Sequence, residues 1–230
     1  MKKIDKAKKF LGKNLGLFEC PICQNRFDEI KENSLICSEG HVFDISKKGT
    51  LYFLTKQVIA DYDKEMLASR QRILRAGLFD GIVSGIAQEL PSEPQQLIYV
   101  GCGEGTPLTK LLKLRNQPAD VAVGFDISKP GINLATSNKT AAFFCEADLA
   151  RLPFADHSIS AIIDLFSPSA YGEFNRVIKS GGRLIKVVPN SHYLQELRRA
   201  LFGTVGKNSN YYNQRVVDLF FKHYPRHRTL

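Results

Sequence analysis

Several features that would mark a membrane or secreted protein are missing from this chain. No apolar run in its 230 residues approaches the ~20 residues that a membrane-spanning helix needs. Its first residues form a lysine-rich run rather than the apolar segment of a secretory signal. No internal repeat or low-complexity segment stands out. These absences predict a cytoplasmic globular protein, in a reducing compartment where disulfides are unlikely.

Acidic residues are also in short supply. The chain has 32 Lys and Arg against 23 Asp and Glu, a formal net charge of +9, which favours a polyanionic partner such as nucleic acid. The alternative is a basic protein with no such partner. The excess is concentrated in an N-terminal lysine cluster and in the tail after Lys179, where aromatic residues lie between basic ones. These could stack on unpaired bases or form the apolar face of a helix; they are Tyr211, Tyr212, Phe220, Phe221 and Tyr224.

The cysteines that are present form a metal-binding pattern. Cys20 and Cys23 form a C-x2-C pair, Cys37 and His41 form a C-x3-H pair, and thirteen residues separate the two pairs. Tetrahedral zinc takes four such ligands, and a closed Cys3His set leaves no open position for catalysis. The pattern therefore predicts a structural zinc site. The other cysteines, Cys102 and Cys145, lie in apolar surroundings typical of a core.

A glycine-rich turn follows the strand predicted at Leu97–Val100. Gly101, Gly103 and Gly105 lack a Cβ, so a ligand can approach the backbone closely. The dinucleotide fingerprint G-x-G-x-x-G would require a glycine at position 106, where Thr106 stands. A pyrophosphate cradle is therefore not predicted, and an NAD-dependent oxidoreductase is poorly supported.

Two acidic residues extend this turn into a candidate cofactor site. Asp126 ends the second predicted strand, where a carboxylate can accept hydrogen bonds from both hydroxyls of a ribose. Asp148 follows the third strand and could meet an adenine amino group, while Leu149 could pack on the adenine face. The combination predicts an S-adenosylmethionine site. Helix capping or a turn is the alternative role for both acids.

The whole chain divides into three predicted parts. Residues 1–17 form a poorly ordered basic leader, residues 18–60 a zinc-binding module, and residues 61–230 a methyltransferase domain. Strands alternate with helices from residue 96 onward, and the strands are continuously apolar, which predicts a Rossmann-like, doubly wound parallel α/β sheet. A helical segment precedes it, with Gly77 and Gly81 as its expected break, and Gly181-Gly182 is expected to form a turn before a fifth strand at Arg183–Val188.

With these motifs in place, the chain resembles the bacterial 23S ribosomal RNA (guanine-N1-)-methyltransferase family. This family combines a class I methyltransferase domain with an N-terminal zinc-binding domain. The segments that carry the resemblance are CPIC and CSEGHVFDISKKG, DKEMLASRQRILRAGLFDGI, VGCGEG, GFDISKPGI, RLPFADHSISAIIDLFSP, EFNRVIKSGG and PNSHYLQEL.

The resemblance implies transfer of a methyl group from S-adenosylmethionine to N1 of a guanine in a 23S rRNA hairpin. It also implies RNA recognition by the zinc module, a homodimer, and a link to macrolide-type resistance. Zinc ligation carries over to the four residues of the Cys3His pattern. Cofactor binding carries over to Phe79, Gly101, Cys102, Gly103, Glu104, Gly105, Asp126, Ile127, Asp148, Leu149, and His192 or its neighbour Tyr193.

The catalytic group is the least defined part of the site. N1 of guanine carries a proton at neutral pH, so a base near the fourth strand would help the methyl transfer. Asp164 and Ser167 are the candidates, with Ser169 as a further hydrogen-bonding group. Because the sulfonium is already a strong electrophile, positioning should supply much of the catalysis.

Three positions depart from the family pattern. Tyr99 stands where an acid usually precedes the glycine loop, and Thr106-Pro107 replaces an aromatic pair. The sequence also ends before the last strand pair of a class I methyltransferase, so the predicted fold lacks that pair. Two alternatives follow: a catalytically silent zinc-containing RNA-binding protein, and a small-molecule methyltransferase.

Overall fold

The computed structural model describes residues 1–56, 63–190, 192–203 and 213–229. The chain forms two compact units, Met1–Ile185 and Lys186–Leu230. The first unit holds the zinc-ligand pattern, the glycine loop and the acidic residues at the strand ends. Within the described ranges, no helix is both long and apolar enough to cross a membrane.

A six-stranded sheet is the core of the first unit. Its strand order is β4-β7-β6-β5-β8-β9, and the four neighbouring pairs from β4 to β8 run parallel. The order reverses at β5, which places a ligand site at the carboxyl ends of the central strands. The strands are β4 (Thr50–Tyr52), β5 (Gln96–Val100), β6 (Val121–Asp126), β7 (Phe143–Glu146), β8 (Ile159–Leu165) and β9 (Ile178–Val187).

The predicted alternation of helices and strands is confirmed. The central strands are buried along almost their whole length, as expected for strands covered on both faces. The predicted helical segment breaks at Gly77, whose φ of 113° few other residues adopt. The helices of this unit beyond the N-terminal one are α2 (Lys64–Arg75), α3 (Asp80–Glu89), α4 (Thr106–Arg115), α5 (Lys129–Ala135) and α6 (Tyr171–Val177).

The zinc-ligand region is a small antiparallel sheet that leads directly into the large one. β1 (Phe27–Lys31), β2 (Ser34–Cys37) and β3 (Val42–Asp44) pair in that order. β4 lies inside the segment expected to form a separate module, yet it pairs with β7 at the edge of the large sheet. The two sheets are therefore joined through consecutive strands of one chain segment.

The N-terminal residues differ from the expectation of a poorly ordered leader. Helix α1 (Lys3–Lys13) buries Ala7 and Leu11 completely or nearly so, and a short 3-10 helix at Leu15–Leu17 follows. Phe10 stacks on Phe143 of β7, with ring centroids 5.2 Å apart. The apolar residues that make these contacts lie among six lysines along the sequence. Such a lysine-rich composition is typical of disordered segments, and composition alone therefore predicted disorder.

The end of the chain differs from the expectation in one detail. Strand β9 continues through Gly181 and Gly182, where a turn was predicted, and Gly181 takes a φ of 74° inside the strand. In the second unit, α7 (Gln195–Phe202) and α8 (Gln214–His223) are the helices. In the part of the chain that the structure describes, no strand follows β9. Of the aromatic residues in the tail, Phe220 and Phe221 lie on α8, and Tyr211 and Tyr212 lie outside the described residues.

Candidate functional site

Three neighbouring strands bring the predicted cofactor residues to one edge of the sheet. β5, β6 and β7 are parallel neighbours, so their carboxyl ends lie side by side. The glycine loop follows β5, Asp126 ends β6, and Asp148 comes two residues after β7. The register pairs Asp126 with Glu146, the last residue of β7. This edge is where an α/β sheet of this order binds its ligands.

The glycine loop is held in a conformation that its glycines require. Gly101, Gly103 and Gly105 have φ values of 58°, 53° and 76°, all in the left-handed region. A Cβ on Gly101 would lie 2.4 Å from Oγ of Ser167, and one on Gly105 would meet the ring of Phe144 at 2.9 Å. At Gly103, by contrast, a Cβ would meet nothing within 4 Å. The loop thus packs tightly at both ends and is open in the middle.

Asp126 ties the glycine loop to the end of β6. Its Oδ2 accepts a hydrogen bond from N–H of Gly103 at 2.8 Å, and its Oδ1 accepts one from N–H of Ser128 at 2.8 Å. Burial raises the pKa of the Asp126 carboxyl, although both of these bonds oppose the shift. Each carboxylate oxygen keeps a second lone pair for a ligand hydroxyl.

The residues beyond Asp126 complete this side of the site. Ile127 is half-buried, and the Oγ of buried Ser128 accepts from N–H of Gly131 and caps α5. Past β7, Asp148 is exposed and its Oδ1 accepts a hydrogen bond from N–H of Ala150 at 2.8 Å, while Leu149 is half-buried. Asp148 therefore shapes its own turn, as the capping alternative expected, while its side chain stays open to solvent.

Two aromatic rings meet on the other side of the glycine loop. Phe79, which caps α3, packs edge to face against Phe166, with ring centroids 5.4 Å apart. Phe166 has a φ of 57°, which is uncommon for a bulky residue and frequently marks a functional site. Phe166 was not among the residues predicted from the sequence. Its place directly after β8, between the two candidates Asp164 and Ser167, is the signal that could have found it.

Asp164 is fully buried at the end of β8. Its Oδ2 accepts a hydrogen bond from the hydroxyl of Ser169 at 2.6 Å, and its Oδ1 accepts one from N–H of Ser167 at 3.3 Å. Both oxygens therefore hold the loop that follows β8. Ser167 is half-buried, and its hydroxyl lies against Gly101.

The glycine loop is ordered although Tyr99 replaces the usual acid. Tyr99 is buried in β5, and burial raises the pKa of its phenol well above the ordinary value, so it stays neutral. N–H of Cys102 donates to O of Phe125 at 3.0 Å. The buried Glu104 accepts hydrogen bonds from the backbone and hydroxyl of Thr106. Asp126, Glu104 and these backbone bonds together fix the loop.

The four predicted zinc ligands converge. Their ligand atoms all lie within 4.8 Å of one another. Sγ of Cys23 lies 3.7 Å from Sγ of Cys37, and Nδ1 of His41 lies 3.7 Å from Sγ of Cys20 and 3.4 Å from Sγ of Cys37. A zinc tetrahedron with Zn–S of about 2.3 Å and Zn–N of about 2.0 Å has edges of about 3.8 Å (S···S) and about 3.5 Å (S···N). The set therefore fits zinc.

The thiols of this cluster differ in acidity. Burial would raise the pKa of the Cys37 thiol, but hydrogen bonds from N–H of His41 and of Glu39 outweigh it and lower the pKa to about 7. Burial raises the pKa of the Cys20 thiol to about 11. A thiolate at Cys20 therefore needs a neighbouring cation, which a bound zinc supplies.

Backbone and side-chain bonds connect the zinc ligands to the cofactor edge of the sheet. The guanidinium of Arg151 donates to O of Ile22, inside the C-x2-C pair, at 2.9 Å, and N–H of Arg151 donates to O of Asp148 at 3.1 Å. N–H of Glu19 donates to O of Pro153 at 3.1 Å. The sequence analysis did not identify Arg151, although it lies in the quoted segment RLPFADHS.

The remaining predicted cofactor residue belongs to the second unit. N–H of His192 donates to Oδ1 of Asn190 at 2.9 Å, and its Nδ1 lies 3.2 Å from Oε1 of Gln195. N–H of Tyr193 donates to O of Asn190 at 3.1 Å. Both residues form the turn before α7.

Comparison with known proteins agrees with this architecture. Residues 92–224 match the family described as "Methyltransferase domain", and residues 18–57 match the zinc ribbon described as "RlmA, N-terminal". A methyltransferase from Aquifex aeolicus described as SAM-dependent shares the fold, with a TM-score of 0.53 and 16% identity over 70% of this chain and 87% of that one.

Two curated relatives match most of the chain. YxjB of Bacillus subtilis (strain 168), whose provisional name is 23S rRNA (guanine-N(1)-)-methyltransferase, is 39% identical over 216 residues, covering 90% of this chain and 76% of that protein. The 23S rRNA (guanine(748)-N(1))-methyltransferase of Streptomyces fradiae is 26% identical over 189 residues, covering 79% and 66%. The chain thus spans two thirds to three quarters of the length of these relatives.

The fold and site define a class I, S-adenosylmethionine-dependent methyltransferase domain joined to an N-terminal Cys3His zinc ribbon. The order of these two parts and the similarity to YxjB identify the relationship more closely. The chain belongs to the 23S rRNA (guanine-N1-)-methyltransferase family.

Proposed function

We propose that this protein methylates N1 of a guanine in a hairpin of 23S rRNA, with S-adenosylmethionine as the methyl donor. One observation carries the proposal: the zinc ribbon and the methyltransferase sheet form a single framework, because β4 follows the ribbon and pairs with β7. YxjB, which matches 90% of this chain, and the Streptomyces fradiae relative both carry names that state this activity. The net charge of +9 suits an RNA substrate.

The residues present fit the cofactor. The carboxylate of Asp126 would accept hydrogen bonds from the ribose hydroxyls, and the open middle of the loop at Gly103 would admit the ligand to the backbone. Asp148 and Leu149 would hold the adenine. The other residues of the first unit assigned to this site are Phe79, Gly101, Cys102, Glu104, Gly105 and Ile127, and the cofactor role of His192, which lies in the second unit, stays a prediction.

The chemistry required of the protein is mainly positioning. S-adenosylmethionine, when bound, supplies an electrophilic methyl group on sulfur. A bond forms between that carbon and N1 of guanine, the S–C bond breaks, and the N1 proton leaves to a base or to water. The loop after β8 would place the guanine, with Ser167 within reach of the base. Asp164 would act as a positioning residue, because both of its oxygens hold that loop.

The proposal extends to partners and biology. We infer a homodimer that binds the hairpin, a cytoplasmic location, and a contribution to macrolide-type resistance. The division into a leader of residues 1–17, a zinc-binding module of residues 18–60 and a methyltransferase domain of residues 61–230 remains a prediction.

The direct test combines cofactor binding with mapping of the methyl group. Calorimetry should give saturable, micromolar binding of S-adenosylmethionine, lost in Asp126→Ala. A 23S rRNA hairpin incubated with both should then acquire one methyl group at guanine N1, detected as a stop in reverse transcription because that methyl blocks base pairing. Cofactor binding without transfer to any 23S rRNA fragment would contradict the proposal.

Tyr99, which stands where an acid is usual in the family, favours a second candidate function, that of a catalytically silent zinc-containing RNA-binding protein. That candidate expects salt-sensitive RNA binding and no binding of S-adenosylmethionine. A small-molecule methyltransferase, the third possibility, expects cofactor binding without salt-sensitive RNA binding. The same two binding measurements therefore separate all three.

A further inference from the structure

A basic groove lies on the first unit, and two of its lining residues reach the glycine loop: the amide of Asn138 donates to O of Glu104, and the ring of Phe144 lies against Gly105. The groove has a volume of about 810 Å³ and runs between α1, the turn before β4, and the segment from α5 to β7. Its charged side chains are Lys3, Lys6, Lys48 and Lys139, and none of the Asp or Glu residues that the structure describes lines it. All four lysines are exposed.

The walls of the groove are firmly built. Phe10 of α1 stacks on Phe143 of β7. Gly49 fits so closely under α1 that a Cβ there would lie 2.6 Å from O of Lys3. The amine of Lys3 reaches across to Oγ1 of Thr136 at 3.4 Å. The lysines are therefore carried by packed elements.

Within the described part of the chain, none of these four lysines takes part in an ion pair. Lysines gathered in one concave surface repel one another, and a polyanion that enters it relieves this repulsion and releases its own counterions. Charge complementarity therefore favours a nucleic-acid backbone, with its row of phosphates, as the ligand of this groove.

We propose that this groove binds the sugar–phosphate backbone of the RNA substrate, outside the target guanine. The inference rests on the proposed function only in taking that RNA to be the substrate. The groove meets β7 at its amino end, whereas Asp126 and Asp148 lie at the carboxyl ends of the strands. The three residue steps from the first to the last residue of β7 separate the two ends by about 10 Å. Contacts this far from the base supply affinity and orientation, without reading the target base.

Half of the groove lysines lie outside the matched family segments: Lys3 and Lys6 are on α1, before residues 18–57 and 92–224, whereas Lys48 and Lys139 lie inside those segments. Lys3 and Lys6 are three residues apart on one helix and therefore share a face. The groove thus adds an N-terminal docking surface to the zinc ribbon and the methyltransferase domain.

The test compares two double variants of the full chain, loaded with zinc, that change the net charge equally. Lys6→Gln/Lys139→Gln removes lysines from the groove, and Lys64→Gln/Lys113→Gln removes exposed lysines from α2 and α4. Binding of a 23S rRNA hairpin is measured over a range of salt concentrations. The groove variant should bind roughly tenfold more weakly at ~0.1 M salt, and its log–log salt slope should fall by about 1.5.

The control variant should bind as the wild type does, and both should keep the wild-type affinity for S-adenosylmethionine, which confirms folding. In turnover, the groove variant should raise KM for RNA and leave kcat unchanged. Equal RNA binding by the two double variants would overturn the proposal, as would a wild type that binds no RNA. Binding that depends on the groove lysines, with no methyl transfer, would support the groove while contradicting the proposed function.

Discussion

At the residue scale, Asp126 is the centre of the proposed cofactor site. Its carboxylate holds N–H of Gly103 and of Ser128, so one side chain both orders the glycine loop and presents free lone pairs to a ligand. This explains how the loop keeps its shape although Tyr99 is not an acid. The sequence predicted Asp126 from its position at a strand end, while its bond to Gly103 depends on how two distant segments meet.

Removal of the Asp126 carboxylate should abolish cofactor binding. Asp126→Ala loses charge-assisted hydrogen bonds to the ligand, worth about 1.5–3 kcal/mol each, and also frees the glycine loop. We expect S-adenosylmethionine affinity to fall at least a hundredfold by calorimetry. Asp148→Ala is the matched comparison, and because Asp148 is exposed the loss there should be tenfold or less. Equal losses in the two variants would contradict this ranking.

Cofactor binding should also depend on acidity through the same group. The folded-state pKa of Asp126 is raised above its ordinary value of 3.8, mainly by burial. The ribose hydroxyls donate to the ionised form, so affinity is full above the raised pKa and falls as the pH drops through it. Titration of S-adenosylmethionine binding against pH should show this decline beginning above pH 3.8. Asp126→Asn should bind weakly with no such decline.

Asp164 offers a test of positioning as opposed to cofactor binding. In Asp164→Asn an NH2 group replaces one carboxylate oxygen, so either N–H of Ser167 or the hydroxyl of Ser169 loses its acceptor. This loss should destabilise the fold by about 1–3 kcal/mol. The loop after β8 would shift, so kcat should fall at least tenfold while affinity for S-adenosylmethionine stays within twofold. An unchanged kcat would show that Asp164 does not position the substrate. Ser169→Ala should lower kcat by a smaller factor.

At the scale of elements, the zinc ribbon supports the cofactor edge of the sheet. β4 pairs with β7, and Arg151 joins the C-x2-C pair to the turn that contains Asp148. Arg176 reinforces this region through bonds to Glu19 and to the backbone of Leu152. Zinc binding and cofactor binding are therefore expected to be linked, and such linkage is reciprocal.

Weakening that link should change both affinities. Arg151→Ala removes the bond to Ile22, so S-adenosylmethionine affinity should fall threefold to tenfold with zinc still bound. In the wild type, saturating S-adenosylmethionine should raise the apparent zinc affinity, measured by competition with a chelator, and zinc should raise cofactor affinity by the same factor. The factor should be smaller in Arg151→Ala. An apparent zinc affinity that is the same with and without S-adenosylmethionine would show that the two sites are independent.

The elements that the sequence predicted share one property. β5, β6 and β8 are continuous apolar runs, and the zinc ligands have a fixed spacing, so local pattern suffices for both. The packing of α1 and the pairing of β4 were not predicted, because both depend on residues far away in the sequence. Phe10 of α1 packs on Phe143 of β7, and β4 is a three-residue strand that pairs with β7 at the edge of the large sheet. Likewise, the left-handed Phe166 follows from packing against Phe79 and not from its own preference.

At the scale of the whole molecule, the net charge should make RNA binding far more sensitive to salt than binding of S-adenosylmethionine. RNA binding should release counterions from many phosphates, whereas the contacts proposed for S-adenosylmethionine are one carboxylate, backbone groups and apolar side chains. Raising salt from ~50 to ~200 mM should therefore raise KM for RNA at least a hundredfold if six or more phosphates are contacted.

KM for S-adenosylmethionine, measured at saturating RNA, should change less than threefold over the same range. Comparable salt sensitivity of the two constants would mean that the net charge of +9 acts mainly on the cofactor site. The control substrate is a single-stranded RNA of equal length, for which the salt slope per phosphate falls from about 0.9 to about 0.7. With the same number of phosphates bound, the single-strand slope would be about four fifths of the hairpin slope. A single-strand slope well below that fraction would identify duplex phosphates as the groups bound, as the proposed docking groove requires.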